Sequence, residues 1–199
     1  MGTRHLIAVK TDGQYKVAQY GQWDGHPGGQ GSTVLKTLRD ADQGLLRDKA
    51  RAARFGSTSE IKERWTECGA DPESDMVGMD VAERFAKRFP QLSRDCGADV
   101  LSILAAARPG LILQDRLGFA ADSLFCEWGY VVDFDLGTFE VYKGFNESPL
   151  GEAERFAHMA AEREDQQYHP IKLVRSYRLD SLPTHDAFID DLREPDEEE

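Results

Sequence analysis

Cysteine is scarce in this chain, with three residues in 199, Cys68, Cys96 and Cys126. Spaced 28 and 30 apart, they form no CxxC pair for zinc or redox chemistry, and a disulfide framework would leave one thiol over. A reducing compartment, the cytoplasm, is the expectation. No window of about 18 apolar residues exists, which excludes a membrane-spanning helix. The opening MGTRHLIAVK is too short in apolar residues for the centre of a signal peptide, and Leu6 stands where a myristoylation signal has Ser or Thr. Positive charge is also short, with 24 Lys and Arg against 36 Asp and Glu, a net charge of -12. That balance excludes nonspecific nucleic-acid binding, whose affinity comes from cations neutralising phosphates. What is present, 40% hydrophobic and 10% aromatic residues, excludes a disordered chain.

The charge is unevenly spread. Residues 1–50 carry +2, residues 51–100 carry -2, residues 101–150 carry -4 and residues 151–199 carry -8. The terminal EPDEEE reads as a solvated acidic tail, and the alternative is that it docks on a basic protein partner. The length suits one domain over residues 1–193, with a helical insertion at about 42–107 and the tail at 194–199.

Turn chemistry and periodicity set the expected elements. HLIAV and YKVAQY flank an Asp-Gly turn and predict an N-terminal hairpin covered on both faces. GQWDGHPGGQG, too rich in glycine and proline for regular structure, leads into the amphipathic run from Val34 to Leu46, with Ser32 or Thr33 as its N-cap. The pattern stays helical from 42 to 107, with Val77, Val81, Phe85 and Phe89 at four-residue spacing. LILQDRLGFAADSLF fits either a strand or a helical turn. Alternation of Tyr130, Val132 and Phe134 with Val131, Asp133 and Asp135 predicts a second hairpin, whose return strand puts Phe139 and Val141 on one face. A helix carrying Phe156 and Ala160 follows, then a strand PIKLVRSYRL, then a short helix capped by Thr184 that buries Leu182, Phe188 and Leu192. The sum is an α+β fold: a mostly antiparallel sheet of two hairpins and a C-terminal strand, with layered helices.

The glycine loop is the candidate site. A loop between a buried strand and a helix N-terminus offers backbone N–H groups and a positive dipole end to an anion. It is no Walker A motif, because the lysine of that pattern is missing. Its polar neighbourhood, Tyr20, Gln22, Asp24, His26, Gln30, Ser32 and Thr33, together with Trp23, makes it a candidate for a small anionic or nucleotide-like ligand. Asp24 would orient His26 or accept a ligand hydroxyl, and Trp23 would stack on a planar group. Under the structural reading, Asp24 forms an Asx-turn and the glycines serve positive φ angles. The sequence leaves the cofactor unknown.

GTRHLIAV, YKVAQYGQWDGHPGGQG, YVVDFDLGTFEVYKGF and LDSLPTHDAFIDDL resemble a group of uncharacterised proteins in tailed phages, bacteria and fungi that begin with a GTR strand and carry a WDGxPxGQG loop. The resemblance covers most of the chain outside residues 50–100 and implies a phage or host-cytoplasm setting, with no activity to carry over. His26 stands where that group has an aromatic Tyr more often. An N-terminal hairpin under layered helices is similar, more weakly, to N-terminal nucleophile hydrolases. That chemistry needs Cys, Ser or Thr as the first residue, whereas methionine removal leaves Gly2 first and Thr3 second.

Three other constellations bear on chemistry. Cys126 with His26 and Asp24 has the residue types of a thiolate hydrolase, and its alternative is a packed thiol. Asp133, Asp135 and Glu140 share oxygen-ligand chemistry, and their alternative is the solvated face of a strand. His158, His169 and His185 have no zinc spacing, and His5 in its apolar strand reads as a hydrogen-bonded structural residue.

Overall fold

The computed structural model describes residues 2–74, 76–159 and 167–193. The chain runs through β1 (His5–Thr11), β2 (Gln14–Gly21), α1 (Ser32–Asp40), α2 (Gln43–Ala52), β3 (Arg54–Phe55), α3 (Thr58–Glu67), α4 (Met79–Arg88) and α5 (Asp99–Ala106). It continues through β4 (Ile112–Leu113), β5 (Trp128–Asp133), β6 (Thr138–Lys143), β7 (Lys172–Arg178) and α6 (His185–Asp191).

The N-terminal hairpin closes through Asp12 and Gly13 with φ of 54° and 72°, the double positive-φ geometry of a tight type I′ turn. Asp135, from the second hairpin, accepts both turn N–H groups at 2.8 Å. The five-stranded sheet has the order β2-β1-β5-β6-β7, in which β1 and β5 run parallel and the other pairs antiparallel. The fold is therefore α+β with a mostly antiparallel sheet. β1 lies inside the sheet and is buried on both faces as expected, but β2 is an edge strand and exposes Gln14.

Period-2 alternation sorts the side chains into two cores. Ile7, Val9, Tyr130, Val132, Phe139 and Val141 face α1, α2, α5 and α6, which contribute Leu38, Leu46, Leu101, Leu104 and Phe188. On the other face Leu6, Ala8, Val131 and Tyr142 pack with Ala120, Cys126, Phe156 and Ile171. A smaller cluster of Ile61, Cys68, Val81, Phe85 and Leu92 holds α3 and α4 together. The helical insertion is thus shorter than its sequence pattern: α2 and α5 belong to the main core, and only α3, α4 and the turn after them have their own.

Several local expectations change. The run from Val34 to Leu46 breaks at Ala41 into α1 and α2, because the Asp42 carboxylate caps α2 by accepting the Leu45 N–H at 3.0 Å, and Leu45 then faces solvent. Between helices the chain forms β3, which pairs in parallel with β4, so LILQDRLGFAADSLF supplies both a short strand and a 3₁₀ turn at Leu117–Ala121. α4 begins at Met79, leaving Val77 exposed outside it. Residues 151–159 form turns instead of a helix, although Phe156 is buried; Ala160 and the tail at 194–199 lie outside the described residues. Thr184 caps α6 through the Ala187 N–H, as its sequence predicts. Among the described residues no helix is long and apolar enough to cross a membrane.

Candidate functional site

The glycine loop is more regular than its composition suggests. Pro27–Gly31 form one wide helical turn that continues into α1. Gly31 is already helical, so neither Ser32 nor Thr33 acts as an N-cap; the Ser32 hydroxyl instead donates to Pro27 O at 2.8 Å, and that of Thr33 to Gly29 O at 3.2 Å. The N–H groups of Gly29 and Gly31 donate to His26 O, that of Gln30 to Asp24 O, and that of Ser32 to Gly29 O and Pro27 O. The backbone N–H groups of Gly29, Gln30, Gly31 and Ser32 are thus consumed within the turn, and the charged groups at the hollow come from side chains.

Two buried rings explain why this stretch needs glycine. The Tyr130 hydroxyl, wholly inside, donates to Gly25 O at 2.8 Å, and a Cβ on Gly31 would stand 2.7 Å from that oxygen. A Cβ on Gly21 would fall 2.0 Å from the ring of His5, which is fully buried. The Thr3 backbone near the His5 ring favours its charged form, but neither ring nitrogen makes a well-formed hydrogen bond, and burial dominates, lowering its pKa from 6.5 to about 4. Loss of charge suits this apolar seat.

The eight candidate residues do not converge on one point. Tyr20 donates its hydroxyl to Gln22 Oε1, and the Trp23 indole N–H, half exposed, donates to Asp95 at 3.0 Å. Asp24 holds φ of 61° and pairs with His26 Nε2 at 2.9 Å, both side chains in water. Gln30 points inward, where its Oε1 accepts the Ala98 N–H at 2.6 Å. Ser32 and Thr33, with Gly28 and Gly29, line a hollow of about 410 Å³ that is completed by Lys36, Arg39, Asp40 and His185. Lys36 pairs with Asp40 at 2.5 Å, whereas among the described residues Arg39 meets only Pro183 O, at 3.1 Å. Two cations and an imidazole thus face one carboxylate.

Lys36, Arg39 and His185 are the residues that sequence reasoning missed. Ser32, Lys36 and Arg39 stand at i, i+4 and i+7, so helical spacing alone places them on one face. His185 comes from the other end of the chain, with Ser32 Oγ 3.1 Å from its Nε2. Asp186 lies 3.4 Å from its Nδ1, but that carboxylate is 98% exposed and cannot serve as the buried orienting acid of a catalytic triad.

The remaining constellations have structural partners. Cys126 is fully buried on the opposite face of the sheet from α1, with its thiol pushed well above the ordinary range by burial and its Sγ on Trp128 O, so it meets neither His26 nor Asp24. Asp133 and Glu140, far from a solvated face, are buried around Arg155, which reaches Asp133 at 2.7 Å and both oxygens of Glu140 at 2.8 Å. Burial pushes the Asp133 carboxyl up, but the Leu136 N–H, Arg155 and the Asp135 N–H together outweigh it and leave its pKa lowered. Among the described residues no group of three His, Cys, Asp or Glu side chains comes together as metal ligands.

Comparison with known proteins adds no identity: no protein-family model matches this chain, and neither the curated proteins nor the solved structures contain a match.

Proposed function

We propose that this chain binds a small anionic ligand, such as the phosphate of a nucleotide, in the hollow between the glycine turn and α6. The observation that carries the reading is Arg39, without a carboxylate partner among the described residues, beside Lys36 and His185 around about 410 Å³. Hydrogen bonds between guanidinium and phosphate are among the strongest available, and a fixed helix face supplies them at little entropic cost. Asp40 limits the excess positive charge, which favours a single phosphate or carboxylate over a polyphosphate. Three buried free thiols support a reducing compartment such as the cytoplasm as its setting.

Calorimetric titration of the full chain with inorganic phosphate and with a nucleoside monophosphate tests the reading. Saturable binding is expected, weakened about tenfold by Arg39→Ala through loss of one charge-assisted contact. Absence of heat for both ligands, or identical isotherms for Arg39→Ala and the parent, refutes it.

A further inference from the structure

A second cavity lies away from this hollow, between the C-terminal half of β2 and the unit of α3 and α4. It encloses about 640 Å³, with Gln19, Tyr20, Trp65, Met79, Arg94 and Arg116 among its walls. Trp65, Val77, Gln114 and Arg116 also line an adjoining recess of about 720 Å³. Cavities of this size suit a small organic ligand.

Its chemistry has two parts. The apolar part centres on Trp65, whose indole lies flat on Phe85 at 3.5 Å and 1°, and on Met79 and Val77, which stand exposed at 82% and 42% beside it. The polar part is the two arginines. Arg51, Arg54, Arg64, Arg84 and Arg88 each meet a carboxylate, but neither Arg94 nor Arg116 has a side-chain ion pair, hydrogen bond or ring contact among the described residues. Their stems are nevertheless fixed to β2 and the strand end: Arg94 O accepts the Gln22 N–H at 3.1 Å, and the Arg116 N–H donates to Ala18 O at 3.1 Å. Two guanidiniums on anchored backbone, beside an aromatic wall and unpaired among the described residues, are arranged for a ligand. Glu83 and Asp95 on the same walls balance the two positive charges, which disfavours a polyanion.

We propose that this cleft binds a planar aromatic molecule bearing one acidic group, its ring system against Trp65 and Met79 and its carboxylate or phosphate on Arg94 and Arg116. This site is separate from the phosphate hollow and does not depend on it.

Calorimetric titration of the full chain with naphthoate and with naphthyl phosphate, alongside neutral naphthamide, tests the assignment. Saturable binding of at least one of the acids is expected, with naphthamide about tenfold weaker than that acid for want of the charge-assisted bond. The double variant Arg94→Gln, Arg116→Gln, two surface changes that spare the core, is expected to weaken the acids about tenfold or more and to leave naphthamide unchanged. In the Arg39→Ala background, where the phosphate hollow no longer competes for the acids, binding that depends on Arg94 and Arg116 is expected to persist. Trp65→Phe, which keeps the stack on Phe85, is expected to weaken the acids and the amide alike. No binding of either acid, acid binding unaltered by the double Gln variant, or acid binding lost with Arg39→Ala overturns the proposal.

Discussion

Replacing Arg155 by Ala isolates the largest electrostatic commitment in the fold. Arg155 is 11% exposed, and its partners Asp133 and Glu140 have side chains 0% and 8% exposed. Its removal leaves two carboxylates with reduced compensation. Asp133 keeps Lys10 at 3.9 Å and the N–H groups of Asp135 and Leu136, and Glu140 keeps the hydroxyls of Thr138 and Tyr142. Breaking a buried pair from one side costs about 3–5 kcal/mol. For a chain of this size the equivalent fall in Tm is roughly 6–20 °C. The sign of the pH dependence follows from desolvation. Without Arg155 the desolvation of Asp133 is less offset and its carboxyl gains pKa relative to the parent, so the variant loses less stability than the parent as pH falls. Urea unfolding of parent and Arg155→Ala at about pH 5 and about pH 8 should show the deficit shrinking at the lower value. Arg155→Lys, which restores charge without the two-pronged geometry, should fall between them. A deficit below about 1 kcal/mol at neutral pH, or one equal at both pH values, refutes the reasoning.

Other consequences can be measured in the same way. His5 is neutral in the native state down to about pH 4 and protonates in the unfolded chain near 6.5, so its contribution is present above 6.5 and is lost as pH falls to about 4. The loss amounts to about 3 kcal/mol, so urea unfolding across that window should show the parent falling by about that much relative to His5→Leu as pH drops. Gly31→Ala places a methyl against the Tyr130 hydroxyl and should cost about 1–3 kcal/mol in chemical unfolding. Asp135→Ala frees the two N–H groups of the Asp12-Gly13 turn; the expected cost is about 1 kcal/mol, read from the urea midpoint with the slope unchanged.

Features written in neighbouring residues were legible in the sequence. Asp12-Gly13 specifies its own turn, Thr184 its own cap, and the alternation from Tyr130 to Asp135 its two faces. What failed depended on partners far along the chain. The parallel pairing of β1 with β5 joins residues 123 positions apart, as in His5 with Trp128, and no local pattern reports it. Asp133 and Glu140 look like a solvated strand face until Arg155 arrives from a later segment to cover them. Residues 151–159 are apolar at Phe156 yet turn instead of coiling, and their role is to bring Arg155 and Phe156 onto the sheet together. The hollow combines helical spacing that was readable, Ser32, Lys36 and Arg39, with His185, which was not.

In the glycine loop the compositional signal has a packing cause. Its glycines suggest free backbone donors, yet the N–H groups of Gly29, Gln30, Gly31 and Ser32 are bonded within the turn. Gly21 and Gly31 are required by His5 and Tyr130, two buried rings that let the loop settle directly onto the sheet. That close seating is what sets the start of α1 and aims Ser32, Lys36 and Arg39 to one side, while the Trp23 indole and the Gln22 N–H tie the other side to Asp95 and Arg94. Glycine density therefore marks the foundation on which α1 and the hollow are built, and under the proposed function the charged side chains beside it carry the recognition. The two roles separate experimentally: Gly31→Ala should lower stability while folded protein keeps its phosphate affinity, and Arg39→Ala should do the reverse. Equal loss of affinity in both variants at matched folded fraction would show that the backbone turn itself holds the anion.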